Sequence, residues 1–140
     1  MEVIVMKKYM CAILCVLLTM GLCACGGNVN GAKTHYVASE MYSQEDITSA
    51  INTIKAYFKF SWSGCTLIEI HYAGDEYSQK YQDWAERKDA DEVIVLLSSF
   101  YVDSSGGDGS LRPNSTYDNW SWVLVRTSDG IWKHVDHGYG

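Results

Sequence analysis

A chain of 140 residues with 11 basic and 17 acidic side chains, a formal charge of −6, has the size of one domain. Its sign is wrong for nucleic acid, because neutralising phosphates takes clustered Lys and Arg. Four of its five cysteines fall within the first 25 residues, so Cys65 stands alone beyond them and no intramolecular disulfide framework is open to the domain. A lone Cys inside a strand reads as a small buried apolar residue.

Residues 6–27 read MKKYMCAILCVLLTMGLCACGG. Lys7 and Lys8 give a positive start and Tyr9 to Leu22 an apolar core, shorter than the roughly 20 residues of a membrane span. Leu22-Cys23-Ala24-Cys25 resembles a lipobox: a branched aliphatic residue, a tolerant position, a small residue, then a Cys whose thiolate is the nucleophile that takes a diacylglyceryl group. The expected organisation is a signal peptide over residues 1–24, with Met6 an alternative start to Met1, then a lipidated Cys25 leading a linker to residue 40, then one domain over 41–140. The linker reading rests on the Gly, Asn, Ser and Thr content of 26–40. Two acyl chains anchor stably, which places the mature chain on the outer face of the cell membrane, extracytoplasmic, with the membrane as a partner through the anchor. Residues 25–140 keep 9 basic and 16 acidic side chains, a charge of −7. Such a domain is expected to stand off an anionic surface.

Beyond the linker, Ser43 is placed to cap a helix whose first turn holds Glu45 and Asp46. Ile47, Ile51, Ile54 and Phe58 recur at helical spacing, with Ala50 and Tyr57 widening the stripe. Ser61-Trp62-Ser63-Gly64 breaks this helix, and 65–72 alternates as a strand, with Thr66, Ile68, Ile70 and Tyr72 on one side and Cys65, Leu67, Glu69 and His71 on the other. After the turn at 73–76, Tyr77, Tyr81, Trp84, Ala85 and Lys88 mark one face of a second helix. The apolar run 93–102 reads as a central strand covered on both faces. Residues 103–115 are loop chemistry, 117–127 a strand, 128–130 a tight turn and 131–136 a last strand.

This order of helix, strand, helix and three strands resembles the cystatin-like or nuclear-transport-factor-2-like cone, which implies an α+β domain: a curved antiparallel sheet of about four strands packed on two helices. The stretch 90–100, the loop around Ser105-Gly106-Gly107-Asp108-Gly109-Ser110, and the closing Trp122, Trp132 and Gly138-Tyr139-Gly140 resemble an uncharacterised family of small Gram-positive lipoproteins. That resemblance implies a location and a fold, and no activity, because such cones host enzymes and non-enzymes alike.

Strand alternation puts Trp132, His134 and Asp136 on one face, and Trp120, Trp122, Leu124 and Arg126 on one face of the neighbouring strand. If the faces coincide they line an aromatic pocket with a His-Asp pair beside it. Two readings follow: a module that binds a small molecule, peptide or envelope protein through Trp120, Trp122, Trp132, His134, Glu69 and His71, or a cone-fold isomerase or hydrolase using His134 and Asp136. Glu69, His71, His134, Asp136 and His137 lack metal-ligand spacing, so no metal and no cofactor is expected. The 103–110 loop misses the calcium frame, with Gly107 and Asp108 where Asp or Asn and then Gly are required, and its glycines lack the Lys and helix of a phosphate loop.

Overall fold

Helix α1, Gln44–Ser61, begins where Ser43 Oγ accepts the Asp46 N–H at 3.1 Å, with Glu45 and Asp46 against the positive end of the helix dipole. Ile47, Ala50, Ile51, Ile54 and Phe58 are its buried residues, so the helical stripe is the face that packs. The helix stops at Trp62, whose N–H donates to the Phe58 carbonyl at 3.0 Å, and Gly64 at φ 75° turns the chain into the sheet. The computed structural model describes residues 26–128 and 130–139. The signal peptide, Cys25 and the middle of the expected 128–130 turn lie outside the described residues.

The fold is α+β, with one open antiparallel sheet in the order β1-β2-β3-β4, formed by β1 Cys65–Tyr72, β2 Glu92–Val102, β3 Ser115–Arg126 and β4 Lys133–Tyr139. β2 is central and buried on both faces, as its apolar run requires. Ile94, Leu96 and Phe100 join α1, Trp122 and Leu124 in the larger core. On the other face Val93, Val95, Val123 and Val125 form a smaller one with Ala85.

Three bulges interrupt the alternation. Leu67 pairs with Phe100 and Glu69 with Ser99, leaving Ile68 over. The phase of β1 therefore changes midway: Cys65 and Leu67 share the buried side with Ile70 and Tyr72, and Ile68 is exposed. This corrects the simple alternation expected for 65–72. A second shift lies between Ser98 and Phe100, opposite Asn119 at φ 55°. The third, at Val135, matters most for the site. The last strand also starts later and runs further than the expected 131–136.

The second helix is two short ones, α2 Asp75–Lys80 and α3 Asp83–Arg87. The Gln82 side chain donates to the Ser78 carbonyl at 2.9 Å, the acceptor that the Gln82 backbone N–H would take in a continuous helix. Ser78 Oγ in turn accepts from the Val95 N–H and the Tyr72 hydroxyl, which ties the break to the sheet.

Residues 26–37, expected to be a flexible linker, are an arm on the domain. The Asn28 N–H donates to the Cys65 carbonyl at 2.9 Å and the Leu67 N–H to the Asn28 carbonyl at 2.8 Å. Lys33 repeats the pattern with Ile68 and Ile70. Val29, Ala32 and Val37 pack on the larger core, so a few apolar side chains and the free edge of β1 outweigh the polar composition.

Candidate functional site

The ends of α1 are built differently. At its N-terminal end Arg126 reaches from β3 to Asp46 at 2.9 Å and to Glu92, and its guanidinium lies 4.2 Å from the Trp132 ring. Trp132 donates its indole N–H to the Asp46 carbonyl at 3.1 Å. The bond from Arg126 holds the Asp46 carboxyl below the usual carboxylate range. Trp132, expected in a pocket with Trp120 and Trp122, instead closes this end. It precedes β4 and does not follow that strand's alternation.

At the C-terminal end the layers part and leave a cleft of about 320 Å³, at the small end of the range for ligand pockets. Tyr57 and Trp62 from α1 and its stop, Trp120 from β3 and Leu111 from the long loop give it aromatic and apolar walls. Ser61, Ser63, Asp108 and Ser110 supply polar groups, and His137 lies on the β4 side. The Trp62 ring is 5.8 Å from Trp120, 5.2 Å from Trp122 and 5.3 Å from His137, in edge contacts favoured by the ring quadrupoles.

Trp122 is wholly buried and donates to Ser98 Oγ at 2.7 Å. Trp120, 9% exposed, lines the cleft, and its indole N–H has no partner among the described residues. A buried donor left unmatched costs about 1–3 kcal/mol.

The bulge at Val135 rearranges the His-Asp motif. His137 pairs with Trp122 and His134 with Leu124, on the α1 side, while Asp136 pairs with Val123 on the other. The expected His134–Asp136 side-chain dyad is therefore replaced by a His134–His137 pair, with His137 Nδ1 3.2 Å from His134 Nε2. What His134 Nε2 meets of Asp136 is the backbone carbonyl, at 3.1 Å. A carbonyl only accepts, so His134 is assigned its proton on Nε2, a single N–H shared between the Asp136 carbonyl and His137 Nδ1. The proton of a neutral His137 is then on Nε2. Burial lowers the pKa of both imidazoles, against the opposing pull of Asp136, which favours the neutral forms this arrangement needs.

Glu69 and His71, also expected among the ligand-binding residues, lie on β1, at the sheet edge opposite β4. His71 lies against His35 of the arm, the rings tilted with centroids 4.2 Å apart, and its Nδ1 is 3.9 Å from the Glu69 carboxylate. Cys65 is buried, as a small apolar residue should be, and burial together with Asp103 and Asp108 pushes its thiol up to about 11, so it lacks the thiolate a nucleophile needs. Tyr57, Trp62, Leu111 and the serines were missed as site residues. Their only local signals are the helix stop at 61–64 and the length of the 103–115 loop.

No protein-family model, curated protein or solved structure matches the chain.

Proposed function

We propose that this chain is a lipid-anchored extracytoplasmic binding module whose cleft at the C-terminal end of α1 holds a small ligand with an apolar or aromatic body and an uncharged hydrogen-bond acceptor. The observation that carries the reading is Trp120, a cleft-lining side chain whose indole N–H is buried with no partner among the described residues, a cost that a ligand acceptor reaching it would remove. His137 lines the same wall, and with its Nδ1 turned to His134 its other ring nitrogen, Nε2, is the one left for a ligand. Asp108 at the rim is held ionised by its bonds from Ser110, which disfavours anionic ligands and leaves carbonyl-like acceptors. The anchor belongs to the same proposal through the lipobox ending at Cys25, which puts the module outside the cell membrane.

Native mass spectrometry of the detergent-extracted chain tests this, with Trp120→Phe beside it. The wild type should keep a small-molecule adduct that denaturation releases, and Trp120→Phe should lose most of it, about tenfold in occupancy for one such hydrogen bond. Equal adducts on both proteins, or a bare wild type, would sink the cleft as the site.

A further inference from the structure

The residues beside the proposed lipidation site are fixed to the end of the domain that carries the cleft. Gly27 donates its N–H to the Lys59 carbonyl at 3.0 Å. A Cβ on Gly26 would fall 1.9 Å from that same carbonyl oxygen, and one on Gly27 would fall 2.6 and 2.7 Å from the carbonyl oxygens of Phe58 and Trp62. Only glycine lets the chain lie this close to the last turn of α1. The described chain therefore begins, at Gly26, beside Lys59 and Phe60.

Phe60 is 78% exposed, and Lys59 beside it is exposed too. An aromatic ring next to a lysine is the pairing that favours a bilayer interface. At the far end of α1 the cation Arg126 is already engaged by Asp46 and Glu92.

Resting on the reading of Cys25 as the lipidated residue, we infer that the domain docks on the outer leaflet through the C-terminal end of α1. Phe60 enters the interface and Lys59 meets the headgroups. The stand-off expected from the overall charge of −7 is replaced by a fixed orientation in which the Asp46 end of α1 points away. Ser61, Trp62 and Ser63 line the cleft, so its mouth is held at the lipid surface and its ligand is a group presented there.

The test uses the full lipidated chain in vesicles of phosphatidylcholine and phosphatidylglycerol. Spin labels go on Phe60→Cys or Ile131→Cys, both exposed sites, while buried Cys65 stays unlabelled. Ile131 follows β3 at the Asp46 end of α1, and an 18-residue helix separates its ends by about 27 Å. The label at 60 should be about tenfold better protected from an aqueous nickel chelate than the label at 131, and open to oxygen. Protection less than about threefold on vesicle-bound protein overturns the docking while leaving the anchor intact. A chain that lacks the diacylglyceryl mass and fails to bind vesicles overturns the anchor reading, and the docking with it.

Discussion

The two ends of α1 use the same kinds of residue to opposite effect. Each sets tryptophan against the sheet, one at the Asp46 end and three at the Trp62 end, and brings polar side chains to meet it. At the Asp46 end the indole of Trp132 has an acceptor, and Arg126 has two carboxylates and a ring to lie on. At the Trp62 end Trp120 has no acceptor among the described residues, and His134 and His137 meet each other rather than a carboxylate. Aromatic content therefore does not mark the site. Unmet hydrogen-bonding capacity is what sets the Trp62 end apart from the Asp46 end, because a satisfied cluster has nothing left with which to recognise a ligand.

Breaking the satisfied end should have the largest effect. Arg126→Ala leaves Asp46 and Glu92 without their cation and Trp132 without its stack, and should cost about 2–3 kcal/mol, the fully buried value discounted for partial exposure. Urea unfolding reads this directly, and a loss under about 1 kcal/mol would mean that the two ends do not differ in this way. Trp120→Phe sharpens the contrast from the other side. It removes an unmatched donor along with part of a ring, and the opposing terms should leave stability within about 1 kcal/mol of wild type. A drop as large as that for Arg126→Ala would make the indole structural.

Acid should act more gently. His71, His134 and His137 all have pKa values lowered, first by burial, so the unfolded chain takes up protons before the folded one does. Stability should be level at neutral pH and fall as pH drops through the ordinary histidine value near 6.5 towards the depressed folded values. Asp46 and Asp75, held low by their hydrogen bonds, add a further loss of the same sign only nearer the usual carboxylate range. Denaturant midpoints at pH 7.5 and 5.5 check this, and His71→Gln should recover part of the fall. The smallest effect belongs to Phe60→Ser, which should change stability by less than about 0.5 kcal/mol because the ring packs on little. A larger loss would give Phe60 a role inside the domain.

Much of the fold is legible in the sequence because its signals are periodic. Ile47, Ile51, Ile54 and Phe58 describe α1, and the apolar run 93–102, interrupted by Ser98 and Ser99 alone, reads as a strand covered twice. The candidate site is less legible, because it depends on events one residue long. Ile68 and Val135 are ordinary strand residues, and nothing in their identity announces that each is an extra residue opposite a single partner. That one insertion in β4 separates His134 from Asp136 and joins it to His137. The cleft walls come from four parts of the chain and meet only in the tertiary structure. Gly26 and Gly27 mislead for another reason: the missing side chain that makes glycine flexible in a linker also lets it press against a helix.

The arm along β1 sets where this protein can be cut. Composition suggests a domain boundary near residue 41, but a soluble version begun there would strip Asn28 and Lys33 from β1 and bare the N–H and C=O groups they engage. An open strand edge of that kind invites other copies to add to it, so the shortened protein would tend towards aggregation during expression and storage. A version begun at Gly26 keeps the edge covered.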